Sequence, residues 1–320
     1  MAALTGRVAI VAGATRGAGR GIARMLGEAG ATVYCTGRSS RAQPNRSAHH
    51  YAGRPETIEE TAELVTKAGG AGIAVRVDHT IDVEVAALFA RVQREQKRLD
   101  VLVNILTYQP VKAWKRFWRL PLAESRTFVD GWLWPHIVTS WHAAAMMTKR
   151  KSGLMVEIVE HESIGYHGQF FFDLMESSLK RLTYALAQEL ASQGVAAVAI
   201  APGFMRTEAI LEDFGATEAT WRDAAETSPT AKRYGFISSE SPCFVGRSVA
   251  ALAADPGVMR KSGGIFTSWA LAEEYGFTDL DGSVPNMPRY MREHFPSLMN
   301  RKSRVAYDWA LRRRSTPSPV

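Results

Sequence analysis

The chain has 320 residues, 46% of them hydrophobic, which is enough to bury a sizeable core in one large α/β domain or two small ones and excludes a disordered or fibrous protein. Its two cysteines, Cys35 and Cys243, show no C-x-x-C or Cys/His ligand spacing, so neither a disulfide framework nor a structural zinc site is supported and a reducing, cytoplasmic setting is expected. The formal charge of +7 gathers at one end, with eight Arg or Lys against Glu293 and Asp308 in residues 289–314 and no recognition module beside them, so nucleic acid is not an expected partner.

The N-terminus runs from Met1 straight into a strand-like segment, without the parts of a signal peptide. No apolar run reaches membrane-spanning length, so a soluble protein with no membrane partner is expected. RVAIVAG (7–13) is a short β-branched run ending in glycine, as a buried parallel strand would. A helix is predicted over 17–30, a strand at ATVYCTGR, a helix over 55–69 and a strand at AGIAVRVD. The alternation goes on with a helix over 81–97, a strand at LDVLVNIL, a long loop over 107–121 and a helix over much of 122–150. Strands at GLMVEIV, GVAAVAIAP and GGIFTSW follow, separated by helices over 173–192 and 242–254. About seven strands alternating with helices predict a Rossmann-type, doubly wound parallel sheet in one domain over residues 1–270. Residues 207–236 read as an insertion placed where a substrate lid could sit, and 271–320 as a C-terminal extension with a basic tail that is solvated or touches another copy in a homo-oligomer.

Gly13, Gly17 and Gly19 stand between the first strand and the first helix at spacing G-x-x-x-G-x-G. Glycines there permit a tight turn and close backbone approach, so that helix-start amides can meet a pyrophosphate. An NAD site usually offers a carboxylate at the end of the second strand, yet no Asp or Glu lies in residues 29–55. Arg38 stands at that strand end and Arg16 in the glycine loop, and two guanidinium groups suit the 2′-phosphate of NADP(H) unless both are solvated surface residues.

Over about its first 270 residues the sequence resembles the short-chain dehydrogenase/reductase family. Besides the glycine loop it carries Asp78 after the third strand, LDVLVN ending in Asn104, and PGFMRT, with Pro202, Gly203 and Thr207 at the P-G-x-x-x-T positions. WALAEEYGFTDLDG is similar to the end of an elongated branch of the family. The resemblance implies a nicotinamide cofactor, with Asp78 at the adenine and the P-G-x-x-x-T loop beside nicotinamide and pyrophosphate. It also implies a catalytic Tyr, Lys, Ser and Asn, and here the chain departs from it. The helix SSLKRLTYALAQEL sets Glu176 at the lysine and Phe172 at the tyrosine, MVEIVEHES sets Glu160 at the serine, and Trp132 stands at the asparagine. Ile105, Leu106 and Thr107 replace the small residues that follow the family's asparagine. One Y-x-x-x-K string survives at Tyr108 and Lys112, but Pro110 interrupts it, and it is read as coincidence.

Glu160 and Glu176 are expected to meet in one pocket beside His161 and Ser163, where mutual repulsion and desolvation raise one carboxyl pKa. No i, i+4 histidine pair supports a metal there. Trp114, Phe117, Trp118, Trp132, Trp134, Phe170 and Phe171 are expected around the cleft, suiting a flat or apolar small-molecule substrate. Three readings stand: a divergent NADP(H)-dependent oxidoreductase; a non-redox acid/base enzyme using Glu160 and Glu176 as isomerase, dehydratase or cyclase; and a non-catalytic NADP(H)-binding or partner-supporting protein.

Overall fold

Runs of small and β-branched residues make seven strands: β1 (Val8–Ala12), β2 (Thr32–Gly37), β3 (Ala71–Arg76), β4 (Val101–Asn104), β5 (Gly153–Ile158), β6 (Val195–Ala201) and β7 (Ile265–Thr267). The computed structural model describes residues 2–44, 53–107, 116–163, 166 and 169–295. All seven strands pair in parallel in the order β3-β2-β1-β4-β5-β6-β7. The expected doubly wound sheet is therefore present, and its order reverses between β1 and β4.

Alternate residues of each strand feed opposite faces, and both faces are covered. On one side Ala9, Val11, Val103, Val156 and Val198 meet α1 (Gly17–Glu28), α2 (Ile58–Lys67) and, later in the chain, α10 (Pro242–Ala254) and α11 (Ser268–Tyr275). On the other, Val8, Ile10, Leu102, Met155 and Ala197 meet α3 (Asp82–Gln96), α5 (Trp134–Met147) and α6 (Phe170–Leu190). α11 spans residue 270, so the sheet's last helix and the C-terminal extension are continuous.

The helix expected over 122–150 is one run with a defect: α4 (Leu122–Phe128), a π turn at Val129–Leu133, then α5. Pro135 lies in that run and has no N–H to donate, and the wider turn just before it accommodates the missing bond and the ring. Between β6 and α10 the insertion folds into α7 (Glu208–Asp213), α8 (Trp221–Thr227) and α9 (Pro229–Arg233) around a small core of Trp221, Ala225, Ala231 and Phe236. α12 (Met287–His294) follows α11.

Arg206 ties the insertion to this C-terminal segment. Fully buried, it donates to Glu218 at 2.8 Å, the Ser239 carbonyl at 2.6 Å and Asp279 at 3.2 Å, and its guanidinium lies 4.3 Å from the Trp221 ring centre. Tyr108, Pro110, Lys112, Trp114 and the basic tail beyond residue 295 lie outside the described residues.

Candidate functional site

A cleft of about 720 Å³ opens at the C-terminal ends of the strands where their order reverses, the place where doubly wound sheets bind ligands. Gly13, Arg16, Gly17, Arg38 and Asp78 line one end, with Pro202, Gly203 and Thr207 across from them. Gly13 has φ +97°, and a Cβ on it would sit 2.3 Å from the Ile105 carbonyl oxygen. A Cβ on Gly19 would sit 2.1 Å from the Gly13 carbonyl oxygen, so Gly19 closes the turn from behind rather than lining the cleft. Gly17 has φ +53°, and a Cβ on it would lie 3.4 Å from Thr207 Cγ2.

Two carboxylates that the sequence reading missed already meet this end. The Gly17 amide donates to Glu208 Oε2 at 2.9 Å, and Arg16 Nε donates to Glu56 Oε2 at 3.2 Å. Burial alone would raise the Glu56 pKa, but the neighbouring Arg54 and Arg16 guanidiniums hold it below the ordinary range. Arg38 is exposed and forms no ion pair among the described residues. Asp78 accepts from the amide and hydroxyl of Thr80, at 3.0 and 2.7 Å. The Gly203 amide donates to Glu240 at 2.8 Å, and Ser268 donates to the same carboxyl oxygen at 2.5 Å. Burial pushes Glu240 up to about 8.

Toward the other end, Glu160, His161, Glu176 and Trp132 line the cleft. The two glutamates do meet: the Glu160 amide donates to Glu176 Oε2 at 2.8 Å. Desolvation pushes the buried Glu176 carboxyl up to about 7. Desolvation by surrounding protein raises Glu160 as well, but its side chain is open to water in the cleft, so Glu176 is the carboxyl that can hold a proton near neutral pH. Phe172 is not among the lining residues; its ring stands edge-on to Trp132 with centres 5.8 Å apart. Of the expected aromatics among the described residues, Trp132 lines the cleft; Phe117, Trp118, Trp134 and Phe170 are exposed and Phe171 stacks on Phe128. Phe204, Ile210, Tyr234, Trp269 and Met287 add to the apolar lining beside Trp132. Aromatic content near a site says nothing about which helix face it occupies, which is why sequence misplaced the others.

Beside the cleft lies a buried polar chain of which only Asn104 stands in a motif. Asn104 is fully buried, and its amide donates to Glu157 at 2.7 Å and approaches Ser140 at 3.2 Å rather than lining the cleft. His136 Nδ1 meets the other Glu157 oxygen in a short contact, and Nε2 donates to the Leu106 carbonyl at 2.8 Å. Burial would lower the His136 pKa, but the Glu157 carboxylate more than offsets this and it is raised; with acceptors at both ring nitrogens the imidazolium form fits. Lys180, one turn beyond Glu176, is buried with a lowered pKa, and its Nζ contacts His161 Nδ1 at 2.9 Å and the Ser163 carbonyl at 2.5 Å. Lys180 follows Glu176 by four residues, a spacing visible in sequence once α6 is placed.

The family model described as Enoyl-(Acyl carrier protein) reductase matches residues 13–257. The chain belongs to the short-chain dehydrogenase/reductase family. It is 36% identical over 290 residues to mouse dehydrogenase/reductase SDR family member 1, covering 88% of this chain and 86% of that protein. With the human protein of the same name it shares 34% over 289 residues, 88% and 85% of the two chains. A Mycobacterium thermoresistibile short chain dehydrogenase superimposes with a TM-score of 0.69 at 20% identity, over 89% of this chain and 93% of that one, and shares the fold. Members of this family bind nicotinamide dinucleotides, and the glycine cradle fits one: two of its positions have no room for a Cβ, and Arg38, with no ion pair among the described residues, stands at its rim. Gly13, Gly17, Arg16, Arg38 and the 202–207 loop are the residues that would hold it.

Proposed function

We propose that this chain is a divergent NADP(H)-dependent oxidoreductase acting on an apolar or aromatic small molecule. The observation that carries this reading is the single cleft that joins the glycine cradle and Arg38 to an apolar end beside Glu160 and Glu176. The cofactor, when bound, gives or takes a hydride. The chain's part is to hold it by backbone amides and guanidinium, to exclude water with Trp132, Phe204 and Trp269, and to keep a proton on the Glu176 carboxyl. Arg38 supports NADP(H) over NAD(H), because charge-assisted contacts contribute about 1.5 to 3 kcal/mol. Calorimetry should show NADPH bound about 10- to 100-fold tighter than NADH, and Arg38→Ala should remove most of that preference. Equal affinities in the parent protein would refute the assignment. NADPH consumption against a panel of aromatic and aliphatic carbonyls then tests the reaction.

The second reading, an acid/base enzyme without hydride transfer, is favoured by the Glu160 amide to Glu176 contact and the raised pKa of both carboxyls. Product formation without NADPH consumption, abolished by Glu176→Gln, would select it. Self-association of the chain in the cytoplasm is part of the proposal. Trp134 (46% exposed), Trp141 (67%) and Tyr184 (44%) leave apolar surface open on α5 and α6, and a second copy would cover it. A monomer by light scattering at micromolar concentration would count against this.

A further inference from the structure

The cofactor end of the cleft is held by carboxylates of the chain itself. α7 begins directly after Thr207, whose hydroxyl accepts from the Ile210 amide, and it carries Glu208 and Glu212 four residues apart, hence on one helix face. Glu208 Oε2 receives the first amide of α1, from Gly17, at 2.9 Å, and its other oxygen lies 3.9 Å from Arg20. Glu212 receives Arg54 at 2.6 Å; Arg54 binds Glu56 at 2.7 Å, and Glu56 binds Arg16 at 3.2 Å. One short helix is thus fixed to the amide that opens α1 and, through an Arg54–Glu56 bridge, to the arginine of the glycine loop. The start of a twelve-residue helix favours an anion, and the loop arginine favours another. Both anions are supplied from within, at the two contacts where a phosphorylated dinucleotide would bring its diphosphate and its 2′-phosphate.

We propose that α7 is an internal anionic plug: Glu208, anchored by Glu212, holds contacts that the dinucleotide's phosphates would take, and is displaced when the dinucleotide binds. The proposal rests on the dinucleotide reading above. Ala209 and Ile210 of the same helix line the cleft, so displacing Glu208 also moves the wall that a substrate meets. A plug also lowers apparent cofactor affinity by the fraction of molecules that hold it closed.

NADPH fluorescence titration of the full-length parent, Glu208→Gln and Glu212→Gln at one ionic strength tests this. Glu208→Gln should bind NADPH about 5- to 10-fold tighter, and Glu212→Gln, acting through the bridge, about two- to threefold tighter. In the parent, NADPH should speed amide hydrogen exchange within residues 208–213, a readout that needs no substitution and no turnover. Equal or weaker NADPH binding by a Glu208→Gln protein that melts like the parent overturns the plug and leaves the cofactor reading standing. So does unchanged or slower exchange in 208–213. Failure of parent and both variants to bind NADPH at millimolar concentration removes the cofactor reading, and the plug with it.

Discussion

The two flanks of the cleft are built on different principles. On the β1–α1 flank the features are made of backbone: Gly13 and Gly19 stand where any Cβ would lie 2.3 or 2.1 Å from a carbonyl oxygen. On the β5–α6 flank they are made of side chains, among them Glu160, Glu176 and Lys180. A backbone cradle admits no substitution without displacing its own loop. Side-chain chemistry can be exchanged provided every buried charge finds a new partner, as Glu157 does in His136 and Glu176 in the Glu160 amide.

The largest effect that would sharpen this contrast lies under the side-chain flank. His136→Leu leaves the Glu157 carboxylate buried without its cation and should cost about 3–5 kcal/mol in urea unfolding. A loss under about 1 kcal/mol would mean that the pair carries no charge. On the backbone flank, Gly13→Ala combines a left-handed φ with a collision against the Ile105 carbonyl and should cost about 3 kcal/mol and weaken NADPH binding together. A variant that folds and binds like the parent would break the contrast outright.

The next effect depends on pH. With the Glu176 carboxyl raised from 4.5 to about 7, the folded chain holds that proton more tightly than the unfolded chain. Its contribution to stability is therefore present below 4.5 and is lost as pH rises through about 7. Glu176→Gln should leave stability unchanged at low pH and raise it by about 1–3 kcal/mol above pH 8, read from unfolding curves at both ends. The reverse pH dependence would show the carboxylate to be the favoured form. Smallest of all is Phe172→Tyr. Its ring sits behind Trp132, so the hydroxyl should change stability by less than about 1 kcal/mol and confer no carbonyl reduction. Measurable turnover from that single change would show that the side-chain flank is closer to its relatives than its residues suggest.

Most of the fold was legible because most strands are short apolar runs closed by glycine, proline or a polar residue, and because Pro242 marks the start of α10. The π turn before Pro135 was not, since one widened turn hardly alters helical periodicity. In the site, the turn of the glycine cradle could be read because a motif fixes it locally. Glu56 and Glu208 could not: their partners Arg16 and Gly17 lie 40 and 191 residues away, and only the folded sheet brings them together. His136 and Lys180 stand at no motif position, and their burial follows from helix faces that a single sequence leaves ambiguous.

Arg206 has a consequence for the order in which this protein is made. It leaves the ribosome 73 residues ahead of Asp279, the carboxylate it meets in full burial. At about 5–20 residues per second, that interval lasts roughly 4–15 s. For that time the guanidinium lacks a counter-ion it needs to be buried, while β1 to β6 are already synthesised and free to pair. The sheet can therefore form early in translation, whereas the insertion, and with it the mouth of the cleft, settles only when the last segment arrives. A ribosome stalled before residue 279 should carry a chain whose insertion is cut readily by protease and whose sheet is not.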